Sequence, residues 1–226
     1  MSKRTYIGAT MVGLAVVLTA SALVASNMGF KLNYTLNHAL AGTSKSGTNQ
    51  IALPDNRQSG MNTAKNLIDD IGLASVASVQ RFIKSSDGYA SYTARSPQTA
   101  AADFALVAGD GYVVKMKTAV NYIIVGSDDP ALPYPLLQAQ VGVSKSGTTL
   151  YQYNYHQTAA SAKGLLDDIG LASVASVQRF VRSSDGFASY TGRSPQTAAA
   201  DFALVPGDAY IVKMKTTVAA YLPSHY

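Results

Sequence analysis

The chain has 226 residues, a formal net charge of +5 and no cysteine, which excludes a disulfide framework and thiolate chemistry. Hydrophobic residues make up 47% of it, enough for a core, and its basic residues are scattered, so wholesale disorder is excluded and nucleic-acid binding is not expected. Charged residues make up only 14%, and every acidic residue is Asp. Because Asp favours turns whereas Glu favours helix interiors, this composition predicts a turn-rich β protein with a weakly charged surface.

Residues 1–26 have the layout of a secretory signal peptide, since a basic start precedes an apolar run over 6–25. Small residues at 20–22 and 24–26 provide acceptable cleavage sites. The apolar run is also close to the roughly twenty residues that span a bilayer, so a retained hydrophobic helix is the alternative, as a membrane anchor or packed inside an assembly. Both interpretations predict export, and contact with a membrane is expected only if the leader is retained.

The rest of the sequence is written twice. Residues 67–118 recur as 165–216 with only eight differences, and the motif Ser-Lys-Ser-Gly-Thr at 44–48 recurs at 144–148. Self-similarity of this length is typical of tandem copies of one folded unit. The sequence therefore predicts three parts, which are a leader at 1–26, a first β-rich repeat at 27–128 and a second β-rich repeat at 129–226.

Each repeat has the pattern of a small β unit with one helix. In the first repeat, Asn62 or Thr63 can cap a short helix that runs through Ile71 and ends at Gly72. Thr158 or Ser161 can cap its counterpart. Alternating and β-branched runs predict strands at 30–41, 49–53, 76–84, 89–93, 112–116 and 120–125, with 132–141, 148–155 and 218–222 among the counterparts in the second repeat.

The turn between two of these strands, Ser-Ser-Asp-Gly at 85–88, is a strong hairpin signal. The predicted fold class is therefore mainly β. We expect two tandem homologous modules, each sandwich-like or barrel-like with one short α-helix, preceded by an N-terminal hydrophobic leader helix.

Four features of the sequence occur together: Asn-Met-Gly-Phe-Lys-Leu at 27–32, Ser-Lys-Ser-Gly-Thr at a strand entry, Asp-Asp-Ile-Gly at the helix end, and F-x-L-V-x-G-D-x-Y-x-V. The combination resembles the tandem repeat modules of uncharacterised secreted bacterial cell-surface proteins, over most of both repeats. The resemblance implies an exported cell-surface module and brings no known activity. Such modules usually carry Trp in the paired strands, whereas this chain has none and places Phe82, Phe180, Tyr92 and Tyr190 there.

No catalytic set is repeated in the sequence. The histidines His38, His156 and His225 have no histidine counterparts, and no metal-binding, P-loop or nucleophile-elbow spacing occurs. An enzyme made of two near-copies would repeat its site or build it at their junction. We therefore expect no enzymatic activity and no cofactor.

The Asp doublets at 69–70, 128–129 and 167–168 leave one alternative open, because Ca²⁺ prefers carboxylate and carbonyl oxygens. No EF-hand spacing supports it. Turn capping or ion pairs are the simpler interpretation, with Lys65 and Lys163 or Arg81 and Arg179 as the expected cationic partners.

Three tyrosines of the second repeat lie on one side of a predicted strand, where the first repeat has Ile51, Leu53 and Asp55. These tyrosines are Tyr151, Tyr153 and Tyr155. They can repack a core, form a contact with a neighbouring subunit, or stack on sugars. Asn33 begins the sequence Asn-Tyr-Thr, which fits a glycosylation site.

Export, low charge and duplication together predict a secreted structural protein that self-assembles head-to-tail into an extracellular filament, tube or surface lattice. The expected partner is the chain itself, through terminal strands that can pair with a neighbour's sheet edge. The alternatives are a monomeric adhesin or carbohydrate-binding module, and a membrane-anchored envelope protein. The residues expected at the assembly interface are Phe30, Leu32, Tyr34, Leu36, Tyr151, Tyr153, Tyr155, Val218, Tyr221 and Leu222.

Overall fold

A computed structural model describes residues 29–95, 102–192 and 200–225. Within these ranges the chain is mainly β, with thirteen strands and two short helices, which confirms the predicted fold class in its coarse form. The predicted leader lies outside the described residues. Each described helix has eight residues, and no helix in these ranges is long and apolar enough to cross a bilayer.

The first repeat forms, in chain order, β1 (Phe30–Leu36), β2 (Thr48–Ala52), β3 (Asn56–Arg57), α1 (Ala64–Ile71), β4 (Val76–Ile83), β5 (Gly88–Thr93), β6 (Gly111–Met116) and β7 (Val120–Ser127). The second repeat follows the same order without a counterpart of β3. Its elements are β8 (Tyr134–Leu136), β9 (Thr148–Gln152), α2 (Ala162–Ile169), β10 (Val174–Val181), β11 (Gly186–Thr191), β12 (Ala209–Met214) and β13 (Val218–Tyr221).

The named strands form ladders with strands of the same repeat, and all pairs are antiparallel. Two isolated bridges, Ile51 with Asp208 and Tyr151 with Asp110, connect the repeats. The first repeat has a four-stranded sheet of order β2-β6-β4-β5 and a three-stranded sheet of order β1-β7-β3. The second repeat has a four-stranded sheet of order β9-β12-β10-β11 and a two-stranded sheet of β8 and β13.

Each repeat encloses a core between its own two sheets. In the first repeat Leu36 and Ile124 of the three-stranded sheet lie in one buried cluster with Val79 and Val114 of the four-stranded sheet. The helix α1 packs against β4 and adds Leu67 to the same cluster. Residues at the equivalent places form the core of the second repeat. The alternation of buried and exposed residues along β1 follows from this arrangement, since one face of the strand meets the core.

Both helices begin and end where the local sequence predicts. Thr63 caps α1 through a capping box with Asn66, and Ser161 caps α2 by accepting from the N–H of Gly164. Gly72 follows α1 with φ at 118°, a conformation that favours glycine, and therefore ends the helix.

The first strand is shorter than predicted. We expected it to cover 30–41, but it ends at Leu36. The side chain of Asn49 explains the difference: its Oδ1 accepts from the N–H of Asn37 at 3.0 Å, and its Nδ2 donates to the C=O of Asn37 at 2.9 Å. Asn37 therefore satisfies its backbone without a strand neighbour, and the chain turns away.

Two strands of the second repeat are also shorter than predicted, and one short strand was not predicted at all. The strand expected over 132–141 is reduced to β8, because Pro133 and Pro135 have no N–H to donate to a ladder. The strand expected over 148–155 ends with β9. The unpredicted strand is β3, a two-residue pairing with the end of β7 that directly follows Pro54 and Asp55.

Candidate functional site

The two repeats contact each other through the same surface on both sides. The loop that carries Ser-Lys-Ser-Gly in one repeat lies on the β-hairpin of the other. The N–H of Lys45 donates to the C=O of Arg182 at 3.0 Å, and the N–H of Lys145 donates to the C=O of Lys84 at 2.8 Å. Each repeat therefore supplies both halves of the contact.

The side chains of the same segments form equivalent hydrogen bonds in both directions across the junction. Ser46 Oγ donates to Asp185 Oδ1 at 2.9 Å, and Ser146 Oγ donates to Asp87 Oδ1 at 2.8 Å. Asp87 and Asp185 have φ values of 53° and 52°, in the left-handed region that Asp tolerates better than most residues. The hairpin turn therefore aims a carboxylate at the other repeat.

An aromatic ring from each repeat also packs on a glycine of the other. A Cβ at position 109 would lie 2.4 Å from Tyr134 Cδ1, and a Cβ at position 207 would lie 3.0 Å from Tyr34 Cε1. Gly109 and Gly207 have φ values of 87° and 91°, so both the close approach and the backbone favour glycine there.

Between these contacts the two four-stranded sheets share a small apolar cluster of Val113, Leu150 and Ala209, with Phe82 and Ile211 packed against it. The reciprocal pairs and this shared cluster relate the repeats by an approximate twofold axis. Such a contact is self-complementary and closes when two repeats meet. Within one chain it is already complete.

Two clefts lie at this junction in equivalent places, and only one is open. The open cleft has a volume of about 340 Å³ and is lined by Thr43 and Gln50 of the first repeat and by 179–183 and 208–210 of the second. The equivalent cleft lies against Leu150 and leaves no space for a water molecule. Leu150 stands where the first repeat has Gln50, and the two clefts also differ at Arg182 and Ala209, whose counterparts are Lys84 and Gly111.

The open cleft contains both charged and uncharged polar groups. Gln50 is only 6% exposed, and its Oε1 has no hydrogen-bond partner among the residues that the structure describes. Asp208 Oδ1 lies 4.0 Å from Arg182 Nη2, and both side chains are about one-third exposed. Burial raises the pKa of Asp208, while the guanidinium groups of Arg182 and Arg179 act in the opposite direction.

A buried polar cluster lies on the other side of the junction, around Asp55. This carboxylate accepts from Gln152 Nε2 at 2.8 Å, from Asn154 Nδ2 at 2.8 Å and from Tyr134 OH at 3.3 Å. The N–H of Asp129 donates to it as well, at 3.1 Å. Asp55 thus ties the first repeat to β8, to β9 and to the segment between the repeats. Burial raises its pKa, and these hydrogen bonds oppose that rise.

A second carboxylate, Asp128, is buried close to Asp55. The N–H of His156 donates to Asp128 Oδ2 at 3.3 Å, and the backbone N–H of Tyr155 also donates to this carboxylate. Burial and, to a smaller extent, the negative charge of Asp55 together raise the pKa of Asp128 to about 6, while backbone hydrogen bonds act in the opposite direction. The junction therefore holds a carboxyl group that is easily protonated in mild acid.

Most of the residues predicted for an assembly interface are enclosed inside the chain. Leu32, Tyr34 and Leu36 are buried in the first core, and Tyr151, Tyr153 and Tyr221 in the second. Four of the predicted residues remain accessible: Phe30 and Val218 are half-buried, Tyr155 is 44% exposed and Leu222 is 53% exposed. The ring of Phe30 stacks on that of Tyr155, with centroids 5.4 Å apart. Whether these four meet another molecule stays a prediction.

The Asp doublets of the two helices form hydrogen bonds and ion pairs within their own repeats. Lys65 pairs with Asp69 and Lys163 with Asp167, one helical turn apart. The second Asp of each doublet accepts from a core tyrosine hydroxyl, Tyr122 in the first repeat and Tyr221 in the second. Arg81 and Arg179 instead lie over the rings of Phe104 and Phe202. In the described ranges no group of three or more His, Cys, Asp or Glu side chains is placed to hold a metal ion.

The residues that join the repeats were not predicted from the sequence. The motif at 44–48 was interpreted as a strand entry and the motif at 85–88 as a hairpin turn, although both recur in the second repeat with their Ser and Asp intact. A polar motif that is repeated unchanged was the available signal. Gln50 was missed because its role depends on the residue that faces it across the junction.

Comparison with family models, with curated proteins and with solved structures finds no match for this chain.

Proposed function

We propose that the chain is an exported structural protein that assembles outside the cell by strand addition at β1. In this proposal the leader directs export, the repeats are two homologous modules joined into one unit by their reciprocal contact, and the units join head-to-tail. Enzymatic activity and a cofactor have no part in it. The contact between the repeats is complete within one chain, so growth needs a different surface.

The observation that carries the proposal is the difference between β1 and its counterpart β8. Both lie at a sheet edge, since among the described strands each pairs with one neighbour only. β8 has three residues and is interrupted by Pro135, two common protections against pairing with another molecule. β1 has seven residues, no proline and one charged residue, Lys31. One edge is closed to addition and the other is open.

The prolines also indicate which N–H groups of β1 are free. Pro135 has no N–H, and its two neighbours pair with β13. Thr35 stands at the equivalent place in β1, so its N–H points to the free edge, as does that of Asn33 two residues earlier. Asn37, on the same side, donates its N–H to Asn49 and not to β7. Asn33 and Thr35 therefore offer donors to an added strand.

The outer face next to this edge is polar on β1 itself, where Lys31, Asn33 and Thr35 are exposed. The apolar residues Ile123 and Val125, which are 54% and 42% exposed, lie one strand further in, on β7. An added strand lies beside β1, so the backbone hydrogen bonds are the main contribution to its binding.

The test is to transfer the two prolines of the second repeat into the first, as the double variant Asn33→Pro, Thr35→Pro. The control is Asn33→Ala, Thr35→Ala, which changes the same side chains and keeps both N–H groups. Loss of two intermolecular hydrogen bonds, at roughly 1 kcal/mol each, raises the concentration needed for assembly by about thirtyfold. Sedimentation and negative-stain microscopy of protein collected from the cell exterior measure it.

Wild type and the alanine control are expected to form filaments, tubes or sheets, while the proline variant stays monomeric with an unchanged far-ultraviolet spectrum. Monomers in the wild type, or dimers that do not grow, contradict the proposal. Mass spectrometry of the mature N-terminus separates the secreted form from a membrane-anchored envelope protein. An adhesin or carbohydrate-binding module is the second candidate, and the open cleft is the observation that favours it.

A further inference from the structure

Head-to-tail assembly at β1 needs a second edge on the molecule, which receives β1 of a neighbour. The inference below names that edge, and it rests on the proposed function. Two β1 strands that pair with each other form a self-complementary contact, which ends with two molecules. Continued growth therefore requires that β1 of one molecule pairs with a different strand of the next.

Among the described strands, β5 and β11 are the edges that fit this role. Each is the outermost strand of a four-stranded sheet and pairs with one neighbour, β4 or β10. Both have six residues without a charge or a proline, so they lack two common protections of an edge. Other described edges fit less well, because β2 and β9 bridge to the other repeat, and β3, β8 and β13 have only two to four residues.

The ladder shows which backbone groups of β5 and β11 face away from the sheet. The N–H of Ala94 donates to the C=O of Ala77, and the N–H of Gly192 donates to the C=O of Ala175, both at 2.9 Å. Backbone groups of successive residues in a strand point to opposite sides. The groups at the free edge therefore belong to Tyr89, Ser91 and Thr93 on β5, and to Phe187, Ser189 and Thr191 on β11.

Each of these edges also exposes an aromatic ring on the edge strand itself. Tyr89 is 43% exposed and Phe187 is 48% exposed. Each packs edge-on against a Phe of the neighbouring strand, with ring centroids 5.5 Å apart. Aromatic side chains are enriched in protein interfaces. A strand that adds to β5 or β11 covers part of this ring, so apolar burial supplements the backbone hydrogen bonds.

β1 matches these edges in length and in the side chains that it brings. It has seven residues, and Lys31, Asn33 and Thr35 are exposed. In an antiparallel pairing that places Asn33 opposite Ser189, Thr35 lies opposite Phe187. Aromatic and β-branched side chains form favourable cross-strand pairs, and Lys31 meets no positive charge on β11. We infer that β1 of one molecule pairs with β11, or with its near-copy β5, of the next molecule.

The first experiment changes both receiving edges in the full mature chain. The variant Ser91→Pro, Ser189→Pro removes the central free N–H of each edge and places a ring there. The control Ser91→Ala, Ser189→Ala keeps both N–H groups. Sedimentation is expected to show that the proline variant needs at least about tenfold more protein to assemble, with an unchanged far-ultraviolet spectrum, while the alanine control assembles like wild type.

The second experiment mixes two variants that do not assemble alone. The variant Asn33→Pro, Thr35→Pro keeps β5 and β11, and the variant Ser91→Pro, Ser189→Pro keeps β1. At a concentration where wild type assembles, the mixture is expected to form complexes of two or three molecules that grow no further. One component has no open β1 and the other no receiving edge, so each contact ends the chain. Native mass spectrometry measures the composition.

The outcomes separate this inference from the proposed function. Assembly of Ser91→Pro, Ser189→Pro at the wild-type concentration, or a mixture that stays monomeric, overturns the inference while β1 remains the joining edge. A wild type that does not assemble overturns both. If the proline variant has a changed spectrum, Tyr89→Lys, Phe187→Lys decides the case, because it puts a charge at each exposed ring position and keeps the backbone. Assembly of that variant like wild type overturns the inference.

Discussion

The two repeats are nearly the same sequence, yet they differ where they touch. Among the eight differences between 67–118 and 165–216, Gly111 stands opposite Ala209 at the junction. A Cβ at position 111 would lie 2.5 Å from Ala209 Cβ, so two alanines do not fit there. Near an approximate twofold axis, a residue lies next to its own counterpart in the other repeat. Where two identical residues would clash, one of the two must be different. The comparison teaches that divergence at the junction is imposed by packing.

The same comparison applies to the two outer sheets and the two clefts. The first repeat keeps a long edge strand and a polar residue in its cleft contact, while the second shortens its edge with prolines and fills its cleft with Leu150. The long edge strand and the open cleft are therefore accessible to another molecule, while their counterparts are not. Both repeats contribute equally to the contact that joins them.

The largest expected effect is at position 55, where the first repeat has a buried Asp and the second has an exposed Tyr. Asp55→Ala leaves Gln152, Asn154 and Tyr134 as buried donors without their acceptor, so we expect about 4 kcal/mol less stability. Tyr155, its counterpart, is 44% exposed, and Tyr155→Ala is expected to lower stability by only about 1 kcal/mol. Urea unfolding of both variants measures the gap, and equal losses would mean that the cluster around Asp55 does not hold the repeats together.

The next effect tests the broken pair at the junction. Gly111→Ala places a methyl group against Ala209 and Leu150 and is expected to lower stability by about 3 kcal/mol, as overpacking does. Ala209→Gly relieves nothing, and only about 1 kcal/mol is expected to be lost through backbone entropy and lost contact. In the double variant the contact with the Ala209 methyl is absent and the contact with Leu150 remains, so its stability should lie between those of Gly111→Ala and Ala209→Gly. A double variant as unstable as Gly111→Ala argues against direct contact between the two positions.

A smaller effect concerns the pH dependence of stability. It arises from Asp55 and Asp128, two buried carboxyl groups at the junction that belong to the first repeat. The pKa of Asp128 is raised to about 6 in the folded chain, above its unfolded value, so the folded state binds more protons between about pH 4 and pH 6. Its contribution to stability is present below that window and is lost as the pH rises through about 6. The pKa of Asp55 is also raised by burial, which acts in the same direction.

Acidification from pH 7 to pH 4.5 is therefore expected to raise the free energy of unfolding by about 2 kcal/mol. In Asp128→Asn most of this rise disappears, because the amide does not titrate. Chemical unfolding at several pH values measures it. A wild type that becomes less stable on acidification, with Asp128→Asn unchanged from it, disagrees with a buried and protonatable Asp128.

The smallest effect tests the symmetry of the contact itself. Ser46→Ala and Ser146→Ala each remove one charge-assisted hydrogen bond to a hairpin Asp, and each is expected to lower stability by about 1 kcal/mol. Because the two bonds lie at opposite ends of the junction, the losses should add in the double variant. A large loss from one serine and none from the other means that the repeats do not dock reciprocally.

Local features of the fold were predictable from the sequence because their causes are local. Thr63 and Ser161 cap helices through their own next turn, and Gly72 ends a helix by its backbone preference alone. The hairpin at Asp87 also depends on four neighbouring residues. These elements were predicted within one or two residues.

Features that depend on distant residues were not predictable in the same way. β1 ends at Leu36 because Asn49 replaces the strand neighbour of Asn37, and nothing near Leu36 signals this. Tyr151 is fully buried, and its hydroxyl donates to Gln157 at 2.8 Å, a place that an alternating tyrosine pattern does not distinguish from a subunit contact. The cleft at Gln50 needs the other repeat to exist at all.

The central claim is that β1 is the edge at which molecules join, and hydrogen exchange of its backbone tests this directly. In assembled protein from the cell exterior, the N–H groups of Asn33 and Thr35 should exchange about a hundredfold more slowly than in dispersed monomers, because an added strand accepts them. The N–H groups of β8 should exchange at the same rate in both states. Equal exchange of Asn33 and Thr35 in assembled and monomeric protein contradicts the account.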